Sequence, residues 1–175
     1  WKYKMMKEWV LTSPKRLIRV YYKNRTRKTI SWRFLTIAHP EFTKFYRMFY
    51  REEKKIIPKS IKKLLNNSLT LAVWIMDDGT KSGESFFLNT QNFTRKEQEK
   101  LIQYLKENFG IEGKINIHSY WKGKILYRIR INSTSLEKLY KPVKPYILPQ
   151  FYYKFPLYPR NDFILQRDKA ADILN

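Results

Sequence analysis

The segment LAVWIMDDG at residues 71–79 constrains this chain more than any other stretch. Its first six residues carry no polar side chain, so a protein interior is the natural place for them. Asn66, Asn67 and Ser68 are candidate caps for a helix that begins here, and Gly79 can end it. Because the helix macrodipole disfavours acids at a helix C-terminus, Asp77 and Asp78 weaken the helix that they end. The segment therefore predicts a buried helix that delivers a carboxylate to a fixed point.

The charge of the chain indicates a polyanionic partner. The 36 Lys and Arg residues against 15 Asp and Glu give a net charge of +21. Basic residues lie all along the sequence, which favours nucleic acid over an anionic membrane surface or an acidic protein. The apolar content of 43% is enough for a core and argues against disorder. No segment has the roughly 18 apolar residues of a membrane span, and without cysteine there is no disulfide framework and no thiolate metal site.

Alternating segments predict antiparallel strands next to helices. Four segments alternate apolar and polar residues with the two-residue period of a strand. A short turn lies between the first and second segments, and another lies between the third and fourth. These strands are predicted at 16–23, 29–37, 114–120 and 125–132, with a further strand at 84–90. Thr94 and Glu97 predict a capping box that begins a helix ending at Gly110, and a second amphipathic helix is predicted over 40–50. The fold class is therefore α+β.

The order of elements from Trp1 resembles the order from Leu101 at an offset of about 94 to 99 residues. MMKEW corresponds to YLKEN, SWRFLTI to LYRIRIN, and PEFTKFYRMFY to STSLEKLYKPV. Matching helices and turns favour a duplication over a chance similarity. The second copy contains the acid-ended helix and its strand, which the first copy lacks.

The acid-ended helix resembles the nine-residue signature of the LAGLIDADG homing endonucleases. The match covers Leu71, Ala72, Ile75, Asp78 and Gly79, and the departures are Val73, Trp74, Met76 and Asp77. Trp and Met at these places look like the second motif of the two-repeat, intron-encoded branch. The runs LNTQNFTRKEQEKLIQYLKENFG and INSTSLEKLYKPVKPYILPQFYYKF extend the resemblance from residue 68 to residue 155.

This resemblance implies a duplicated αββαββα fold whose antiparallel β-saddles lie over the DNA major groove. Residues 1–67 are expected to be a partial first repeat, truncated at its N-terminus, with a linker. Residues 68–155 are the second repeat with its signature helix at 69–79, and residues 156–175 are a C-terminal tail. The family uses one acid from each of two signature helices, and only one signature is present. We expect a pseudo-symmetric monomer with a missing N-terminal part or assembly with another fragment, and a poor nuclease from this chain alone.

The acid pair is the expected metal site. Carboxylates are natural ligands of Mg²⁺, which takes one or two of them together with phosphate oxygens, although a lone acid pair is often structural. The resemblance assigns the metal-binding role to Asp78, with Gly79 beside it letting the backbone bend away. The implied cofactor is Mg²⁺ or Mn²⁺. Asp77 is interpreted as a structural or supporting residue.

Four further residues are candidate catalytic groups by the resemblance. Gln91 would lie near the metal and its waters, and His118 near the scissile phosphates. Lys154 would polarise phosphate or water, and Lys55 is its candidate counterpart in the first repeat. Each has an alternative: Gln91 can simply end a strand, His118 can face DNA or solvent, and Lys154 can anchor a phosphate without a chemical role.

Basic and polar side chains on the alternating strands are the candidate DNA contacts. β-Ribbons fit the major groove, where Arg can bind guanine, while Lys residues in turns more often bind phosphate. The predicted set is Arg19, Tyr21, Lys23, Lys28, Arg33, Lys81, Lys114, Asn116, Lys122, Lys124, Arg128 and Arg130.

The resemblance implies a site-specific double-stranded DNA endonuclease that hydrolyses phosphodiesters with a divalent metal at a long target site. Two alternatives stay open, because fold analogy does not settle function. One is an RNA maturase that assists splicing of its host intron RNA, and the other is a non-catalytic basic nucleic-acid-binding protein. No membrane partner is expected. The composition is typical of AT-rich organelle genomes, so a mitochondrion or chloroplast is the expected location, and otherwise an intracellular one.

Overall fold

A computed structural model describes residues 1–21 and 27–156. They fall into two compact units, Trp1–Met48 and a second that begins at Phe49. The helices are α1 (Lys2–Met5), α2 (Pro40–Phe49), α3 (Ile61–Leu64), α4 (Ser68–Asp78), α5 (Arg95–Phe109) and α6 (Leu136–Val143). The strands are β1 (Lys15–Tyr21), β2 (Arg27–Arg33), β3 (Tyr50–Arg51), β4 (Lys54–Lys55), β5 (Gly79–Ser82), β6 (Ser85–Leu88), β7 (Gly113–Trp121) and β8 (Lys124–Ile131).

The first unit is built on the β1–β2 hairpin, which confirms the first predicted strand pair. The register pairs Ile18 with Ile30 and Arg19 with Thr29, so the two faces of the hairpin have different chemistry. Ile30 is 53% exposed and Trp32 is 67% exposed, so the apolar face of this hairpin is open within the described residues. The helix over 40–50 is also confirmed, as α2.

The second unit is a four-stranded antiparallel sheet with helices on one face. Its strand order is β5-β6-β8-β7. Alternation in β8 sends Ile129 and Ile131 into the core and Arg128 and Arg130 to the opposite face. Phe86 of β6 stacks on Phe155 with ring centroids 5.5 Å apart, which anchors the end of the described chain under the sheet. The predicted capping box and the left-handed Gly110 at the end of α5 are both present.

Helix α4 is the buried helix that the sequence predicts. Leu71, Ala72 and Ile75 have no exposed surface, because one face of the helix packs into the core. Asn67 caps its N-terminus by accepting a hydrogen bond from the Thr70 amide at 2.9 Å. The helix then runs directly into β5, an edge strand that the sequence did not reveal.

Residues 49–67 belong to the segment that was predicted to hold the partial first repeat and its linker, and that division into repeats stays a prediction. They lie in the second unit, because their polar groups are bonded to α5. The Ile57 amide donates to Glu97 at 2.9 Å, and Asn108 donates to the carbonyl of Leu65 at 2.7 Å. Lys62 also forms an ion pair with Glu107 at 2.7 Å.

None of the helices in the described ranges combines the length and the apolar character that a membrane span requires.

Candidate active site and nucleic-acid interface

The two acids at the end of α4 point into different spaces. Asp78 is half-buried and lines a cavity of about 190 Å³ together with Trp74 and Thr70, which lie one and two turns earlier on the same helix face. Asp77 is exposed and lines a separate cleft of about 690 Å³. Successive residues on a helix are about 100° apart, so adjacent acids need not share a site. Asp78 is therefore on a partly exposed face of α4, and the opposite side of the helix is fixed by its packing in the core.

Lys55 is the candidate basic residue that shares a cavity with Asp78. It lies in β4, and its ammonium nitrogen is 5.7 Å from the centre of the Phe93 ring, which lines the same cavity. Lys55 is exposed, and at such a site the attraction of a cation to an aromatic face is about 0.5–1 kcal/mol. The structure thus brings together two predicted residues that are 23 positions apart in the sequence.

Lys154 lies at the C-terminal end of α4. Its side chain is buried, and its ammonium group donates hydrogen bonds to the main-chain carbonyls of Met76 and, at 3.3 Å, Asp77. These carbonyls are at the negative end of α4, where a cation is favourable. Lys154 and Asp77 line one cleft, whereas Asp78 lines the other. In this arrangement Lys154 stabilises the helix end that carries the acids, and its catalytic role stays a prediction.

Gly79 adopts an extended conformation, with φ −73° and ψ 142°. The helix therefore does not end in the left-handed cap that a C-terminal glycine usually provides. A Cβ atom at this position would lie 2.5 Å from the Ile75 carbonyl oxygen and 2.6 Å from Cζ of Phe86. Glycine is required here because α4 and β6 approach the backbone closely.

Gln91 and His118 are both at irregular points of the second unit. Gln91 is half-buried in the turn that follows β6. His118 is exposed and is the extra residue of a β-bulge, because Ile117 pairs with Tyr127 and Ser119 with Leu126. Regular alternation along the predicted strand 114–120 would put His118 on the same face as Asn116, and the bulge interrupts that alternation. Bulges near functional sites often redirect a side chain. The catalytic roles of both residues stay predictions.

The sheet of the second unit presents a continuous polar and basic face. Cross-strand pairing puts Thr80, Phe87, Arg130 and Lys114 in one row across the four strands. The next row pairs Asn116 with Arg128. Lys122 and Lys124 are exposed at the tip, where Lys122 and Gly123 form the two-residue turn. A twisted antiparallel ribbon with this chemistry suits the major groove.

Two arginines on this face are held by different neighbours. The Arg128 guanidinium carbon is 3.7 Å from the centre of the Phe87 ring. Arg130 instead donates from Nη2 to the Ser85 hydroxyl at 2.7 Å. Burial lowers the pKa of the Arg128 guanidinium, and an arginine remains protonated at neutral pH even so.

Two of the predicted DNA contacts have other placements, and a third cannot be assessed. Lys81 pairs with Phe86, so it is on the helix side of the sheet and lines the cleft of Asp77. Lys28 pairs with Val20 and lies in β2 on the apolar face of the first hairpin, not in its turn. Lys23 lies outside the described residues. Arg19, Tyr21 and Arg33 do share the opposite face of that hairpin, where all three are exposed.

The basic face is supported by residues that were not predicted from the sequence. Phe87 is an aromatic residue on the polar face, and nothing in the sequence distinguishes it from the buried Phe86. Gln98 is fully buried and hydrogen bonded to Thr90. A signal existed for Gln98, since it occupies the apolar stripe of α5 at helical spacing from Leu101 and Leu105.

The side chains around the acids suit a metal site that is completed by water and phosphate oxygens better than one formed by protein ligands alone. Within residues 1–21 and 27–156, no group of three or more His, Asp or Glu side chains converges to hold a metal ion. Mg²⁺ keeps several waters and takes one or two protein carboxylates together with phosphate oxygens. The half-buried Asp78 carboxylate at the edge of a cavity fits such a shared site.

Comparison with known proteins identifies the family. The sequence profile of the LAGLIDADG DNA endonuclease family matches residues 1–139. The chain belongs to this family. A solved structure of the homing endonuclease I-WcaI bound to its DNA recognition sequence has the same fold as this LAGLIDADG chain. The TM-score is 0.74 and the identity 31%, over 90% of this chain and 69% of that one.

Some relatives of this LAGLIDADG protein are named maturases and others are named endonucleases. The cytochrome b mRNA maturase bI2 of Debaryomyces hansenii is 33% identical over 83% of this chain, which spans only 53% of that protein. A probable intron-encoded DNA endonuclease of Mycosarcoma maydis is 30% identical over 72% of this chain and 93% of that protein. The intron-encoded endonuclease ai4 of Dictyostelium discoideum is 32% identical over 80% of this chain.

Proposed function

We propose that this protein acts as a site-specific double-stranded DNA endonuclease of the homing type. The observation that carries the proposal is the pairing register of β7 and β8. It aligns Lys114 with Arg130 and Asn116 with Arg128 on one face of the sheet that α4 enters directly after Asp78. A basic ribbon beside an acid at a helix end combines duplex binding with a place for a metal ion. The DNA-bound relative and the endonuclease names support the same function.

The roles of the site residues follow from their surroundings. Asp78 would hold Mg²⁺ or Mn²⁺, which activates water and stabilises charge on the phosphate. Lys55 supplies a positive charge to the same cavity, where it attracts a phosphate oxygen. Gln91 orients water through its amide, and His118 approaches the phosphates from the bulge. The main-chain position of Gly79 keeps the Asp78 side chain at the mouth of the cavity.

A second acid-ended helix completes the site in this proposal. The family uses one carboxylate from each of two signature helices, and the 175 residues contain one signature. The first unit has the order helix, hairpin, helix, as does the segment from α5 to α6. This supports a two-repeat architecture, with the second acid supplied by the same polypeptide or by another fragment.

Substitution of the two adjacent acids tests the metal role of Asp78. In an assembly that includes the second acid-ended helix, we expect Asp78→Asn to lower Mg²⁺-dependent cleavage of intronless target DNA at least about 100-fold, because removal of a group that acts on the transition state costs several kcal/mol. The matched control, Asp77→Asn, removes the same charge from the other cleft and retains most of the cleavage. Binding of Mn²⁺ to the protein–DNA complex, followed by electron paramagnetic resonance, gives a readout even when cleavage is slow. Equal effects of the two substitutions would contradict the assignment.

A maturase role is the second candidate, favoured by the name of the Debaryomyces relative. A substitution of Asp78 distinguishes the two functions, because assistance to RNA folding needs binding but no metal-assisted hydrolysis. We expect Asp78→Asn to abolish cleavage under the endonuclease proposal. Two results together would establish the maturase instead: the wild-type protein never cleaves the intronless DNA, and Asp78→Asn still assists splicing of intron RNA.

The intron-encoded relatives and the composition support a mitochondrial or chloroplast location.

A further inference from the structure

The side chain of Arg128 is held in place before any ligand binds. Its guanidinium carbon lies over the face of the Phe87 ring, 3.7 Å from the ring centre, and this ring is only 7% exposed although it is on the polar face of the sheet. Stacking on an aromatic face fixes the guanidinium plane and leaves its hydrogen-bonding edge in that plane. Arginine normally loses much side-chain freedom when it binds a ligand. Here the protein has already restricted that freedom.

One side of this guanidinium is closed to solvent. Nε of Arg128 is buried, and no group within the described ranges accepts a hydrogen bond from it. The terminal Nη groups are therefore the donors that can reach a ligand. Two parallel N–H groups in one plane match O6 and N7 of guanine in the major groove. A phosphate also accepts this planar fork, but it does not require it, because lysine binds phosphate as a point charge.

The backbone at residue 128 is fixed from both sides by a buried polar network. Gln98 donates from Nε2 to the Tyr127 carbonyl at 3.1 Å, and the Ile129 amide donates to the Thr90 hydroxyl at 3.2 Å. Thr90 in turn donates to Oε1 of Gln98 at 2.9 Å. The β6 strand ends at Leu88, opposite Ile129. Side chains of Gln98 and Thr90 thus satisfy the backbone groups that β6 no longer reaches.

Arg130 is held by a hydrogen bond and not by an aromatic ring. Its Nη2 is already bonded to Ser85, so part of its donor set is used within the protein. The two arginines are two residues apart on one strand and face the same side of the sheet. They provide a comparison in which the charge and the strand are the same and the stacking differs.

We propose that Arg128 is the principal specificity-determining residue of this sheet, that it binds one guanine through its terminal nitrogens, and that Phe87 is its positioning residue. This assignment rests on the proposed function, because it requires a DNA duplex in contact with the basic face. The Thr90–Gln98 network extends the support to the main chain.

In the test, the full 175-residue chain is mixed with a library of randomised DNA duplexes, and the duplexes that it binds are sequenced. We expect the wild type to enrich a motif with guanine at one fixed position. Arg128→Lys and Phe87→Leu should each lower that guanine preference about ten-fold and leave the other positions of the motif unchanged. The comparison variant, Arg130→Lys, should change a different position. Thermal melting verifies that each variant folds.

The outcomes separate the two proposals. A wild type that enriches no motif contradicts DNA recognition itself and this assignment with it. If Phe87→Leu leaves the motif intact, this assignment alone is overturned. The same holds if Arg128→Lys lowers the affinity equally for all sequences, because a uniform loss of affinity indicates a phosphate contact. A second readout needs no DNA. The ring current of Phe87 should shift the Arg128 Nε–H resonance upfield in the free protein. If the wild type shows no upfield shift, or if Phe87→Leu keeps the shift, the stacked geometry is overturned.

Discussion

Gly79 joins α4 to β5 at a point where a side chain has no room. Its φ of −73° is accessible to any residue, so the need for glycine comes from crowding and not from conformational freedom. The neighbours are a carbonyl oxygen of α4 and the ring of Phe86, and both belong to buried elements that cannot move away cheaply. A single residue thereby determines how closely the acid-ended helix can pack on the sheet.

We expect Gly79→Ala to lower the free energy of unfolding by about 1–3 kcal/mol, the usual cost of overpacking a core. Urea denaturation of both proteins measures the difference. Gly83→Ala is the matched control, because a Cβ there meets nothing within 4 Å and the cost arises only from its φ of 56°, roughly 1 kcal/mol. A Gly79→Ala variant as stable as the wild type would mean that α4 and β6 are not packed this closely.

The β3–β4 hairpin shows strain at the scale of an element. It reverses the chain between Arg51 and Lys54, and the two residues of its turn, Glu52 and Glu53, have φ values of 48° and 62°. A turn with two left-handed residues prefers Asn-Gly or Asp-Gly. Glutamate has a Cβ and pays the steric penalty of this region at each position. The hairpin matters because β4 carries Lys55 towards the cavity of Asp78.

Replacing the turn residues by Glu52→Asn with Glu53→Gly should raise the stability of the second unit by about 1–2 kcal/mol, since the penalty per left-handed residue is of that order. A rise in the melting temperature measures this gain. The Glu52→Gln, Glu53→Gln variant removes the same charges and keeps the side-chain branching pattern, so it should melt close to the wild type. A gain that is equal in both variants would assign the effect to charge.

The charge of the whole molecule determines the strength and the salt dependence of its binding. A net charge of +21 gives long-range attraction to a duplex, but only lysines and arginines close to phosphates displace counterions on binding. A protein with 6–10 phosphate contacts loses about 10³–10⁵ in affinity between 50 and 200 mM salt. The positions of the charges therefore matter more than their sum.

We expect Lys114→Gln to lower the slope of log Kd against log salt concentration by about one, because Lys114 is exposed on the basic face of the sheet. The control, Lys106→Gln, removes an equal charge from α5, where the lysine pairs with Glu112 at 3.0 Å. That variant should leave the slope unchanged. Fluorescence anisotropy with a labelled duplex over a series of KCl concentrations measures both slopes. Equal changes in the two variants would show that the sheet face is not the binding face.

The sequence by itself determined the local features of this protein. The apolar run before Asp78 predicts α4, Thr94 and Glu97 predict the start of α5, and the alternation of isoleucine and arginine predicts which face of β8 is basic. Each of these follows from contacts between residues within a few positions of one another, because backbone geometry sets the periods of 3.6 and 2 residues. The family resemblance rests on the same local patterns.

Only the tertiary structure decided the features that depend on packing between distant segments. The register of β7 against β8 makes His118 a bulge, and the pairing of β5 with β6 turns Lys81 away from the basic face. The environment of α4 separates Asp77 from Asp78 and brings Lys154 to the helix end. No local pattern carries this information, because register and burial are set by the whole sheet and core that a residue meets after folding.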